Sequence, residues 1–155
     1  MISTISLIKY KTDVIALQRA TIPLLKPDFV KEDALALQAH FRTKRDFMVK
    51  ELRALNIQCH MPDATFYIWA DVKALPPPLC NGVIFFEYCI RNKVICVPGI
   101  FFDVNPFHRR KFRKSPYIDH LRMSYGPAWP NLKIAIKGIS TIVELATADK
   151  LPPLI

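Results

Sequence analysis

Glycine is scarce, with only four residues in 155, at positions 82, 99, 126 and 138. Scattered in this way they make no glycine-rich loop that could wrap a phosphate in backbone N–H groups. Cys59, Cys80, Cys89 and Cys96 contain no C-x-x-C pair, which removes the zinc-knuckle and thioredoxin-type motifs. Cys89 and Cys96 lie inside apolar runs, where a thiol acts as a small hydrophobe. All four are expected to be reduced, in an intracellular, cytoplasmic protein. No apolar run approaches the ~18 residues of a membrane span. The apolar opening from Met1 to Ile8 lacks the basic start, h-region and cleavage site of a signal peptide. Ser124 stands outside any Gly-x-Ser-x-Gly elbow. His40, His60, His108 and His120 are scattered without ligand spacing, so no metal site is expected. Acidic residues are also short: 13 against 22 basic, a net charge of +9. That permits an acidic partner, whether nucleic acid, membrane surface or carboxylate metabolite, without choosing among them.

What is present is the composition of a globular chain, 51% hydrophobic and 23% charged, of a length that fits one domain. Residues 1–8 are a strand or a frayed end. Val14, Leu17, Thr21 and Leu24 recur at helical spacing, with Pro23 ending or kinking that helix. Asp28 is placed to cap the next helix, from Phe29 to Leu55, which carries the stripe Leu37, Phe41, Met48, Leu52, Leu55. Its basic residues, Arg42, Lys44, Arg45, Lys50 and Arg53, are expected on a solvated face, and Asn56 terminates it. A short strand at 57–60 and a second at 65–70 follow. Pro76-Pro77-Pro78 is a stiff polyproline spacer, after which Asn81 caps a helix turning Phe85, Tyr88 and Cys89 inward. Val94-Ile95-Cys96-Val97 has the continuous apolarity of a strand buried on both faces, broken by Pro98-Gly99. Leu132, Ile136, Ile139 and Val143 stripe a last helix from about 129 to 146, and residues 148–155 are expected to form a loose tail. Trp69 and Trp129 are expected in or near the core.

The predicted fold is α+β, a three- to four-stranded sheet covered by the long helix and the C-terminal helix, each on one side. In Leu121-Arg122-Met123-Ser124-Tyr125, apolar and polar residues alternate as on a strand with one buried face. An arginine on the polar face of such a strand is held by rigid backbone, and its planar fork suits a carboxylate gripped by two parallel bonds. A surface arginine, or one partner of an internal ion pair, fits the same spacing.

The order of these elements, with the residues at their joints, resembles the C-terminal small domain of fold-type I, pyridoxal-phosphate-dependent aminotransferases of class I/II. Three stretches carry the resemblance: Pro62 to Asp71, Val94 to Phe102, and Leu121 to Gly126, within a similarity running from about Val14 to Leu145. The resemblance implies that Arg122 pairs with the α-carboxylate of an amino-acid or 2-oxo-acid substrate. It places the loop of Pro98 and Gly99, with Phe101 or Phe102, beside the substrate side chain. It implies residues 1–13 as a remnant of the large domain or a frayed segment, 14–147 as the small domain, a missing large domain as partner, and a homodimer in the full-length family. Ala64 stands where the family usually has glycine. Transamination needs a Schiff-base lysine, an acid on the pyridinium nitrogen and a phosphate cradle. The family carries these in its large domain, and neither Lys9 nor Lys11 lies in its Ser-Lys…Gly-x-Arg context. Pyridoxal phosphate is therefore not expected to bind this chain alone, no catalytic residue is assigned, and the chain is expected to be an inactive fragment. The alternative is a non-catalytic basic module binding nucleic acid through 107–114, where aromatics interleave with bases. A solvated basic loop is the expected reading of that stretch.

Overall fold

A computed structural model describes residues 15–104 and 115–154 of the chain. The expected segment 1–13, the opening strand and the basic stretch 107–114 lie outside the described residues. The chain divides into two units, 1–40 and 41–155, so the expected domain 14–147 crosses a division at residue 40.

In the first unit, residues 15–21 are helical (α1) and a 3-10 turn, Ile22–Leu25, follows. The long helix α2, Pro27–Ala54, begins there. Its first residue is the proline, whose missing N–H costs nothing at that position. Asp28 lies inside the first turn, where its charge suits the helix dipole, and is not the cap expected of it. Ile15, Leu17, Ile22, Leu25, Leu35 and Leu37 are all exposed, so the predicted stripe of α2 is not buried at Leu37.

The second unit holds the sheet. Strands β1 (Gln58–Cys59), β2 (Tyr67–Asp71), β3 (Val97–Pro98) and β4 (His120–Ser124) stand in the order β1-β2-β4-β3, all antiparallel. Helix α3, Gly82–Arg91, and helix α4, Trp129–Thr147, complete the α+β fold. Met48, Val49 and Leu52 of α2, Phe85 and Cys89 of α3, and Leu132, Ile139 and Ile142 of α4 share one core with Ile68, Ala70, Leu121 and Met123. The buried sheet residues all belong to one face, so the helices cover the same side, in place of the two-sided cover expected, and among the described residues the other face stays open.

Several differences from the sequence expectation have local causes. The strand expected at 94–97 is only Val97–Pro98, and Ile95 is 83% exposed. Pro98 is tolerated inside it because β3 is an edge strand, pairing with β4 alone. Pro76-Pro77-Pro78 turns instead of spacing: the peptide bond between Pro77 and Pro78 is cis and Leu79 N–H donates to the Pro76 carbonyl at 2.9 Å. The tail is tied down by the Tyr88 hydroxyl donating to Pro152 O (2.8 Å) and Arg91 to Pro153 O (3.0 Å). With so few glycines, left-handed positions fall to Asn56, Thr65, Lys93 and Asp149. Three of them close helices α2, α3 and α4: the amides of Ile57, Val94 and Lys150 reach back to the carbonyls of Leu52, Cys89 and Leu145. Asn81 caps α3 as expected, its side chain accepting from Val83 and Ile84 N–H. The remaining strained position is Thr65, one residue beyond the Ala64 where glycine was expected.

The basic residues of α2 are not all solvated. Lys44 is 4% exposed and is the one buried charged residue among those described. Its ammonium donates to the carbonyls of Gly126 (3.2 Å) and Pro127 (2.8 Å), where the chain leaves β4 and those oxygens have no strand partner. Lys44→Ala strips both bonds from a half-buried turn and is expected to destabilise the fold by about 2–3 kcal/mol, read as a lower urea midpoint at unchanged slope.

Candidate functional site

The register of β2 against β4 sets the open face. Trp69 lies opposite Arg122, Tyr67 opposite Ser124 and Asp71 opposite His120. Because side chains alternate, these six share the face turned from the core. Val97 of β3 stands on the other side of Arg122, and the 3-10 turn that follows, Gly99–Phe102, returns Phe102 to the same place.

Arg122 is half-buried. Its guanidinium carbon lies 4.4 Å from the centroid of the Tyr67 ring and 4.7 Å from that of Phe102. Both rings attract the group by cation–π interaction, which does not use its N–H donors. Among the described residues no carboxylate or carbonyl takes those donors, so the internal ion pair that the spacing also allowed is not made there. Phe102 packs edge-on to Trp69 at 5.6 Å. Of the expected loop, Phe102 alone reaches Arg122: Phe101 is 71% exposed, and Pro98 and Gly99 are buried in the frame. Gly99 has a steric reason, since a β-carbon there would stand 2.8 Å from that of His120 and 2.7 Å from the Tyr117 carbonyl.

Trp69 is therefore not in the core. It centres an aromatic group with Phe102, Tyr117 and His120, and the His120 ring stacks on it at 5.7 Å and 27°. The His120 Nδ1 is 2.7 Å from an Asp119 carboxylate oxygen. Asp71, across the register, accepts from the Lys73 N–H at 2.8 Å. Gln58, Cys59, His60, Trp69, Asp71 and His120 line a cleft of about 180 Å³. The sequence singled out Arg122, yet it left His120 among scattered histidines and did not bring Asp119 and Asp71 to it. The only available signal was the alternation in both strands, which fixes faces but not which residue stands opposite which.

A profile of the family described as "Aminotransferase class I and II" matches residues 14–136, most of the chain. The chain belongs to the class I and II aminotransferase family. It is 29% identical over 104 residues to a "Probable aspartate aminotransferase" of Methanocaldococcus jannaschii, covering 67% of this chain and 24% of that one. It is 41% identical over 59 residues to the LL-diaminopimelate aminotransferase of Nitratidesulfovibrio vulgaris, covering 37% of this chain and 14% of that one. In fold it is similar to the Thermus thermophilus aspartate aminotransferase solved with maleate, with a TM-score of 0.61 at 22% identity over 76% of this chain and 27% of that one. It is also similar to the aromatic aminotransferase of Pyrococcus horikoshii, with a TM-score of 0.62 at 18% identity over 83% and 30%. The chain thus spans about a quarter or less of the length of the curated relatives it matches.

The family uses pyridoxal phosphate, and the residues described here do not fit that cofactor. Lys44, the single buried lysine among them, is committed to two carbonyls. No described glycine adopts the positive φ of a loop folded around a phosphate. No helix of the described residues is long and apolar enough to cross a membrane.

Cys59, on β1, has its thiol pushed above the ordinary value by burial, and the neighbouring Arg53 guanidinium partly offsets this. At pH 8 a raised value means less thiolate. Cys59 is expected to alkylate more slowly than free cysteine, its rate still climbing above pH 9, and Arg53→Ala is expected to slow it further. Iodoacetamide labelling resolved by peptide mass measures both.

Proposed function

We propose that this chain supplies the substrate-carboxylate clamp of a pyridoxal-phosphate-dependent aminotransferase, acting as the small domain of a site completed by a separate large domain. The observation that carries this reading is the Arg122 guanidinium, held between Tyr67 and Phe102 on a strand and with no protein acceptor among the described residues. A fork fixed in that way has little rotamer freedom left to lose, so a carboxylate meets two aligned donors at low entropic cost. Maleate, a dicarboxylate, accompanies one of the structural neighbours. Amino acids and 2-oxo acids share the carboxylate group, which makes them the substrate class. Phe102, resting against both Arg122 and Trp69, would border the substrate side chain, with Pro98 and Gly99 setting the turn that brings it there.

The exposed apolar residues of 15–37 suit a surface that the large domain covers. Amino transfer requires a Schiff-base lysine, a pyridinium partner and a phosphate cradle, which the family carries in its large domain, so the chain alone is expected to be inactive. In the full-length family arrangement the assembly would be a homodimer, in the cytoplasm.

Two measurements test this. Titration of the isotope-labelled chain with maleate is expected to shift the Arg122 Nε–H signal, and Arg122→Ala is expected to weaken binding by about 10- to 100-fold, the worth of a charge-assisted bidentate pair. Unchanged maleate affinity in that variant would remove Arg122 from the role. Mixing the chain with pyridoxal phosphate is expected to give no stable aldimine absorbance, and a stoichiometric band surviving gel filtration would contradict the missing-lysine argument.

A further inference from the structure

We propose that Asp71, Asp119 and His120 form a binding site for a divalent transition-metal ion of the zinc class. One ring nitrogen of His120 and one carboxylate oxygen from each aspartate lie within 4.8 Å of one another. A first-row ion holds such atoms at ~2.0–2.2 Å, which spaces its ligands roughly 3–4 Å apart. Small side-chain rotations therefore close the set, with no movement of the backbone.

The backbone is the part that is fixed. Asp71 and His120 are register partners on adjacent strands, and Asp119 is the next residue along. The Val72 N–H donates to the Asp119 carbonyl at 2.9 Å, locking the two strand ends together. Two glycines press on the same segment: a β-carbon on Gly82 would meet the His120 carbonyl oxygen at 2.5 Å, and one on Gly99 would meet the His120 β-carbon at 2.8 Å. Stacking on Trp69 fixes the plane of the imidazole, and its Nδ1 stands 2.7 Å from the Asp119 carboxylate oxygen, near the spacing of two ligands on one ion, so the metal takes the place of the proton these two atoms share. A ligand set on two paired strands, with its histidine ring already oriented, has lost most of the freedom that metal binding would otherwise have to remove.

The donor set selects the ion. An imidazole with two carboxylates suits zinc and its first-row neighbours, whereas magnesium and calcium seek oxygen alone. Two carboxylates balance the charge of a divalent cation. His120 and Asp71 border the 180 Å³ cleft, which leaves room for water at the remaining coordination positions. The site is distinct from the Arg122 clamp, because the Arg122 guanidinium packs on Tyr67 and Phe102 while the three ligands gather around His120.

Isothermal titration of the metal-free chain with zinc chloride is expected to show one ion per chain, with no comparable heat from magnesium chloride. Asp71→Asn and His120→Asn are each expected to weaken zinc binding by about tenfold or more. Zinc is expected to raise the melting temperature of the parent chain and not of these variants. Circular dichroism of Asp71→Asn controls for folding, and Asp119→Asn replaces His120→Asn should loss of the stacked ring unfold the chain. The proposal is overturned by absence of zinc binding at roughly 100 µM ion, by equal affinity in the parent and Asp71→Asn, or by binding that survives Asp71→Asn and disappears in Cys59→Ser or His60→Asn.

Discussion

The pairing of β2 with β4 is the constraint from which the rest follows. Five residues of each strand lie in register from Tyr67↔Ser124 to Asp71↔His120. A slip of one residue would turn Leu121 and Met123 to water and Arg122 into the core. The register is held from the buried side, where Ile68, Ala70 and Leu121 are completely enclosed, and it delivers the opposite set to the open face in a fixed order. Packing on one side of the sheet thus supplies geometric precision on the other. The connection onward from β4 is secured separately, by the Tyr125 amide donating to the Phe66 carbonyl and the Tyr125 hydroxyl to that of Thr65. Lys44 takes the next two carbonyls.

Much of this was legible in the chain, and the reasons are local ones. The α4 stripe, the α3 cap at Asn81 and the stop at Asn56 each follow from side-chain chemistry acting within a few residues. The three stretches that resemble the aminotransferase small domain lie on β2, on β3 with its 3-10 turn, and on β4. Non-local facts were not legible. Lys44 looked like one more charge on a solvated face because its acceptors lie 82 and 83 residues away. Trp69, expected in or near the core, is half-buried on the opposite face, because size and apolarity do not tell which face of a strand is covered. The run 94–97 looked like a buried strand because continuous apolarity is shared by strands and by irregular segments packed beside a helix end, and Val94 in fact closes α3. The length of α2 was plain, whereas the exposure of its first turns depends on what covers them.

The shortage of glycine has a structural consequence of its own. Helix ends and turns that call for a left-handed residue must use side chains that tolerate it poorly, and Lys93 and Thr65 do so at a local cost of roughly 1–2 kcal/mol each. The glycines present serve close approach instead. Gly82 and Gly99 bring α3 and the 3-10 turn directly against the carbonyl of His120, so the few available are placed where backbone meets backbone, beneath the open face.

That face carries opposite charges within a short distance, and their separation needs a cause. Arg122 is two residues from His120 on the same strand, and Asp71 and Asp119 gather around that histidine. A flexible arginine beside two carboxylates would ordinarily form a salt bridge and lose its use as a clamp. Two features prevent this. Tyr67 and Phe102 draw the guanidinium to their rings, and the Trp69 indole, whose backbone lies opposite Arg122 in the register, stacks on His120 instead. The carboxylates are engaged as well, Asp119 by the His120 ring and Asp71 by the Lys73 amide. The aromatic rings therefore sort the charged groups, Tyr67 and Phe102 taking the arginine and Trp69 the histidine, and the availability of Arg122 to an incoming carboxylate depends on those two rings as much as on the arginine itself.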